Sequence, residues 1–279
     1  MTPGELHSFL EEKYERYNRP DFIESDPVSI PRQFSKKQDI EISAFFSATL
    51  AWGQRTTIIR NANDLMRRMD RAPHDFILNH TPRDLASFKN FKHRTFNGTD
   101  CVFFIRALRN IYKKNNSLED VFSSPLPVEK GMRSEAREAL LNFRKLFFSI
   151  PHPSRTKKHV SAPPPESSGG GSACKRLNMF LRWMVRKDKR GVDFGIWGRE
   201  EIRGIQGRRQ AGRPLHPSQL MCPLDVHSGN VARKLGLLVR KQNDWKSVEE
   251  LTSRLRDFDP DDPVKYDFAL FGLGVFEKF

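Results

Sequence analysis

Apolar residues recur along most of this chain every three or four positions. Over 175–186, Leu177, Phe180, Leu181, Met184 and Val185 follow i, i+3, i+4, i+7 and i+8, the spacing of a helix with one apolar face. Residues 39–69 are rich in Ala, Phe, Ile and Leu and read as one long helix or two joined ones, interrupted near Gly53. Thr99 or Asp100 can cap another, in which Val102, Ile105, Leu108 and Tyr112 share a face. A third spans 134–148 through Ala136, Leu140, Phe143 and Phe147. Ser247 with Glu250 makes a capping box for 248–255. Asp262-Pro263 opens the last helix, because proline suits the first helical position. No run alternates Val, Ile or Thr with polar residues, so the expected fold is all-α.

Two stretches break the pattern. Residues 151–172 hold five prolines and three consecutive glycines. Residues 187–220 are basic and dotted with glycine. From 175 to 213 there are twelve Lys or Arg against four Asp or Glu, a local net of +8. Both stretches read equally as solvated linkers.

Composition narrows the function classes. The chain has 279 residues, enough for a sizeable core in one large domain or two small ones. A formal charge of +14 suggests a polyanionic partner, nucleic acid first, although scattered surface lysines give the same sum. Cys101, Cys174 and Cys222 lie far apart with no C-x-x-C pair, which excludes a zinc ribbon or a four-cysteine iron–sulfur site and suits a reducing compartment. The first residues, MTPGELHSFLEEKYERY, are charged and polar and lack the apolar core of a signal peptide. No segment approaches the ~18 apolar residues of a spanning helix. A cytoplasmic location without membrane association is expected.

Two charged residues stand at helix starts. Lys175 lies in the first turn of the 175–186 helix, where the positive helix end, neighbouring Arg176 and partial burial would favour a neutral amine. A neutral amine can attack carbon and form a Schiff base; an exposed lysine holding a phosphate is the simpler use of the same position. The glycines before it leave backbone N–H groups for an anion, or simply connect two helices. Asp225 precedes a helix expected over 228–238, where an N-cap explains it, and His227 beside it can be a polar surface residue. An Asp-x-His metal site lacks further ligands nearby.

PLDVHSGNVARKLGL resembles the P-x-D-x-H stretch of the helix–hairpin–helix DNA glycosylases, whose helix ends in a basic residue and Leu-Gly. GGGSACKRLNMF resembles the second helix of their hairpin element, and SATLAWGQRTTIIRNANDLM is similar to their L-S-x-Q-x-T segment. DPVKYDFALFGLG resembles the closing helix of the archaeal 8-oxoguanine glycosylases. Together these segments, over nearly the full length, also resemble a bacterial family of conserved hypothetical proteins related to that superfamily. The L-P-G-x-G hairpin is absent, and a longer Pro/Gly-rich segment stands in its place. The Lys175-to-Asp225 distance exceeds that of most members, which makes 187–220 an insertion. The missing iron–sulfur cysteines point to the 8-oxoguanine branch.

The resemblance implies one all-α domain over 1–279 with two helical lobes around a cleft, 151–172 being the hairpin segment. It implies a base-excision DNA repair glycosylase with AP lyase activity on an oxidised purine, 8-oxoguanine. Lys175 would form the Schiff base and Asp225 would be the catalytic carboxylate. Gln54 and Asp267 would hydrogen-bond the flipped base, and Phe271 or Trp52 would stack on it. Phe271 could instead be core, and Asp267 could pair with a basic neighbour. Gly169, Gly170, Gly171, Arg176, Arg182 and His227 would contact the DNA, with the 187–213 arm. The implied partner is double-stranded DNA carrying a damaged base, bound near the nucleoid by a monomer. No metal and no organic cofactor is required. The alternative is a catalytically silent nucleic-acid-binding protein of the same fold.

Overall fold

A computed structural model describes residues 1–123, 135–165, 170–198 and 214–279. These contain twelve α-helices and one two-stranded ribbon. The helices are α1 (Pro3–Tyr17), α2 (Asp21–Glu24), α3 (Lys37–Leu50), α4 (Arg55–Arg68), α5 (Pro73–Asn79), α6 (Gly98–Tyr112), α7 (Glu119–Phe122), α8 (Glu135–Phe147), α9 (Lys175–Val185), α10 (Val226–Lys234), α11 (Trp245–Arg256) and α12 (Asp267–Val275). The ribbon pairs β1 (Lys92–His93) with β2 (Phe96–Asn97) antiparallel. The all-α expectation holds.

Two helices are buried all round. Every residue of α3 from Ile40 to Leu50 is buried, and every residue of α9 from Leu177 to Val185. A helix that is enclosed on all sides belongs at the centre, and α3 packs directly on α9. Phe45 of α3 is the hub. Its ring lies 5.6 Å from Phe104, 5.3 Å from Phe143, 5.4 Å from Phe147 and 5.8 Å from Phe180. Each such fully buried ring contributes roughly 1.5–3 kcal/mol of transfer free energy. Helix α12 packs on both α1 and α10.

Several boundaries move from their expected places, each for a local reason. The 39–69 pattern divides into α3 and α4 around 51–54. Asn97, not Thr99 or Asp100, caps α6. Its side chain accepts from Thr99 N at 3.1 Å, while Asp100 reaches back to the Asn97 N–H at 3.0 Å. Asp244, not Ser247, caps α11. Helix α10 starts at Val226 and stops at Lys234, short of the expected 238, because Gly236 turns left-handed at φ 74°. The segment after Asp262 begins as a 3₁₀ turn, Pro263–Tyr266, before α12.

The two irregular stretches are not solvated linkers where they are described. Within 151–165, Thr156 is fully buried and its hydroxyl donates to Asp100 Oδ1 at 2.7 Å. Within 187–198, Val192, Asp193 and Trp197 are buried. Trp197 Nε1 donates at 2.7 Å to Glu41 Oε1, a fully buried carboxylate that also accepts from Tyr112 Oη at 2.8 Å, Leu118 N at 3.0 Å and Ser117 Oγ. Glu41 thus fastens α3, α6, the start of α7 and the 187–198 stretch together. Glu41→Ala would orphan four donors at once. We expect a loss on the order of 3 kcal/mol or more in urea unfolding; an unchanged midpoint would contradict this role.

Candidate functional site

The chain reaches α9 through a tight strap. Gly170 and Gly171 have φ of 90° and 75°, and Cys174 is left-handed at φ 50°. A Cβ on Gly171 would lie 2.6 Å from Pro164 Cβ, so only glycine passes there. Gly170 packs on Asp244, the cap of α11. These two glycines shape the turn; Gly169 lies outside the described residues. No side chain caps α9. Its first residue is Lys175.

Asp225 is the N-cap of α10, and its two oxygens divide their work. Oδ1 accepts from His227 N at 2.9 Å and Ser228 N at 3.1 Å. Oδ2 faces Lys175 Nζ at 3.7 Å. The Asn243 amide holds the Asp225 carbonyl at 3.0 Å, and Ser228 Oγ accepts the Asp225 N–H at 3.0 Å. The lysine and carboxylate side chains are 26% and 25% exposed, so solvent reaches both. At 3.7 Å the amine is in ion-pair range but not hydrogen-bonded. Fifty residues of chain separate these two groups.

Behind this pair runs a buried chain of charges. Lys175 and Arg182 stand at i and i+7 on α9, and Arg186, its C-cap, follows on the same side at i+11. Arg182 Nε is 3.2 Å from Asp193 Oδ1, and its Nη1 is bonded to Asp267. Arg186 holds Asp193 Oδ2 at 2.9 Å and Asp262 Oδ2 at 2.8 Å. Asp267, at the start of α12, is buried. Burial pushes its carboxyl up to about 6; Arg182 and Lys175 pull it down, and the Asp225 charge adds to the rise. A further acid, Asp26, belongs to the same neighbourhood. It is buried, its Oδ1 accepts Val28 N at 3.0 Å, and burial raises its carboxyl against the pull of Arg182, Arg55 and Lys175.

The Asp267 shift has a measurable consequence. The unfolded carboxyl titrates near its ordinary value of about 4 and the folded one near 6. The folded state therefore keeps the proton more tightly between those values. The stability from this difference is complete below pH 4 and is lost as pH rises through 6. Asp267→Asn stays neutral throughout, so it should gain stability relative to the wild type between pH 4 and 7 in urea titrations. A wild type that gains on the variant over that range would contradict this.

The other expected site residues fare unequally. Arg182 does not present its guanidinium to phosphates: it is 4% exposed and spent on Asp193 and Asp267. Asp267 correspondingly meets a guanidinium where a base edge was expected. Arg176 donates to the carbonyls of Thr49 at 2.8 Å and Lys158 at 3.2 Å, tying α9 to the end of α3. Phe271 is half-buried, with the Arg55 guanidinium 5.4 Å above its ring and Phe22 edge-on at 6.0 Å. Trp52 lies under the Arg94 guanidinium at 4.6 Å and edge-on to His93 at 6.1 Å. Its Nε1 is buried with no partner. Gln54 is exposed at the start of α4 and makes no capping bond. His227 is exposed and serves the cap through its backbone. In the expected arm, 199–213 lie outside the described residues. Next to and within 187–198, Arg186 is matched by Asp188, Asp193 and Asp262 and Arg190 by Glu15, while Lys187 and Lys189 are exposed.

Sequence reasoning passed over Asp26 and Arg55. Asp26 precedes Pro27 and caps a 3₁₀ turn, a pattern that carries no sign of a site. Arg55 directly follows the noticed Gln54, but only the fold brings it over Phe271 and Phe276, 5.8 Å away. Among the described residues no group of three His, Cys, Asp or Glu could hold a metal ion. Nor is any helix among them long and apolar enough to cross a membrane. Two cavities of about 350 and 240 Å³ are lined by other residues, the first around Thr99 and Phe103, the second around Arg60 and Arg67.

The fold and site define an all-α protein in which a buried ion chain ends at a half-open lysine–carboxylate pair. Residues 26–276 match the family described as "Protein of unknown function (DUF2400)", and the chain belongs to that family. No curated protein and no solved structure matches it.

Proposed function

We propose that this protein is a DNA glycosylase with AP lyase activity, acting on double-stranded DNA that carries an oxidised purine, 8-oxoguanine foremost. One observation carries the reading: Lys175 Nζ and Asp225 Oδ2 meet at 3.7 Å, both reachable from solvent, although remote in the chain. The resemblance assigns these same two residues as nucleophile and acid. The net charge of +14 suits a polyanionic substrate.

In this mechanism the enzyme turns the damaged nucleotide out of the stack. Loss of the base leaves positive charge on the sugar, which the Asp225 carboxylate stabilises. The Lys175 amine bonds to C1′ as the C1′–N9 bond breaks, and the electron pair departs with the purine. Asp225 accepts the lysine proton. Opening of the sugar, with protonation of the ring oxygen, gives the Schiff base. Removal of a C2′ proton then expels the 3′ phosphate. The base would lie near Phe271, which requires the Arg55 guanidinium to move from its ring or to stack on the far side of the base. Gln54 and Trp52 remain candidates for its edge and face.

The test is a panel of duplexes, each with one damaged base, incubated with and without borohydride. Strand cleavage and a covalent adduct on the oxidised-purine duplex are expected. A second reading, a nucleic-acid binder without catalysis, is favoured by the cap that Asp225 supplies to α10, which explains the carboxylate structurally. Salt-sensitive binding indifferent to lesions, with no adduct on any duplex, would support it instead.

A further inference from the structure

The exposed face of α4 carries a row of arginines that the proposed reaction does not use. Arg60 and Arg67 stand at i and i+7 on α4, opposite the buried Ile58, Ala62, Leu65 and Met66, and Arg71 follows just past the helix end, in the turn where its backbone is left-handed at φ 55°. With Asn63 and Asp64 they line a cavity of about 240 Å³. Asp64 is the carboxylate in that cavity, and its oxygens are both taken, Oδ2 by Arg68 Nε at 2.7 Å and Oδ1 by Arg67. Four arginines thus share one acid; Asp70, exposed at the end of the helix, is the other acid nearby. Arg71 bonds only neutral groups, Gln33 and Asn63 Oδ1, which leave its charge uncompensated. Arg60 has no carboxylate within 4 Å among the described residues, and its guanidinium reaches only Asn61 Oδ1 at 3.5 Å. At about 1.5 Å per residue, Arg60 and Arg67 lie roughly 10 Å apart along the helix, and Arg71 extends the row into the turn beyond it.

The geometry points to α4 and the turn that follows it as a second nucleic-acid contact, on which the phosphate backbone of a DNA duplex lies along Arg60, Arg67 and Arg71. The row is matched to a strand of phosphates by its repeated, exposed guanidinium groups, with Asp64 already taken by Arg67 and Arg68. Arg55 begins the same helix and stands over Phe271 of the site, about 7.5 Å along the axis from Arg60. The choice of duplex DNA as the polyanion rests on the proposed function; the cationic row itself does not.

Fluorescence anisotropy on an undamaged, labelled duplex across a salt series tests this. Three phosphate contacts contribute about 2–3 units to the slope of log affinity against log salt. Replacing Arg60, Arg67 and Arg71 together with glutamine should lower the slope by that amount, and the affinity at low salt by about tenfold or more. The triple lysine variant should keep the slope. Arg60→Gln alone, which disturbs no other bond of note, should lower it by about 1 unit even if the triple variant folds poorly. An unchanged slope in Arg60→Gln and in the folded triple variant overturns the assignment, as does tighter binding of single-stranded RNA than of the duplex through the same arginines. No chemistry occurs on undamaged DNA, so the two ideas separate. A reduced slope without any borohydride adduct keeps the surface and removes the glycosylase; an adduct with an unchanged slope does the reverse.

Discussion

Lys175→Gln is expected to abolish both the borohydride-trapped adduct and lesion cleavage, while the protein stays folded. Glutamine has similar length and no nucleophilic nitrogen. The side chain is a quarter exposed and its contact with Asp225 is a loose 3.7 Å, so stability should change by less than about 1 kcal/mol. Asp225→Asn is the sharper partner experiment. Asparagine caps helices as well as aspartate does, so the bonds from His227 N and Ser228 N can persist. Only the charge beside Lys175 is removed. Cleavage should fall by about 10²–10⁴-fold, the usual worth of a positioned acid or base, with an unchanged melting curve. Asp225→Ala would confuse the two roles by costing about 1 kcal/mol of capping as well. Undiminished cleavage in Asp225→Asn would reduce the residue to its structural role.

The second large effect concerns Arg182. Its guanidinium is almost wholly enclosed between Asp193 and Asp267 and lies 4.2 Å above the Phe268 ring. Arg182→Ala would leave two buried acids without their common cation. Removing one partner from such an arrangement costs about 3–5 kcal/mol. At this chain length that lowers the melting temperature by roughly 10 °C. A residue whose role was to hold phosphate at the surface would instead leave the melting curve alone and weaken DNA binding. Calorimetry on Arg182→Ala therefore decides between the two roles.

The error over Arg182 shows where sequence reasoning stops. A count of +8 across 175–213 cannot tell paired charges from free ones. The partners of Arg182 come from Asp193, just beyond its helix, and from Asp267, eighty-five residues away. What local pattern does fix was legible. The apolar stripe of α9 was visible in Leu177, Phe180, Leu181, Met184 and Val185, and all of them are buried. The break between α3 and α4 was visible at Gly53. Helix α1 was passed over because its face is thin: only Leu10 and Lys13 are buried. Its start was nonetheless written in the chain, with Thr2 as cap, Pro3 as first residue and Glu5 completing the box.

The site was legible in a different way. Periodicity alone makes Lys175 an exposed lysine and Asp225 a cap, and the second of these is true as far as it goes. Resemblance singled out the pair, and the fold brings the two within 3.7 Å. Asp26 and Arg55 carried no such mark, because their place beside Lys175 and Phe271 depends on how α4 and the 26–29 turn pack.

If Lys175 is the nucleophile, a trapped adduct must sit on it. The most direct measurement is to reduce a mixture of protein and 8-oxoguanine duplex with borohydride, digest it, and locate the adduct by mass spectrometry. A nucleotide remnant is expected on the peptide containing Lys175, on that side chain. An adduct on another residue, or none on any damaged duplex, would contradict it.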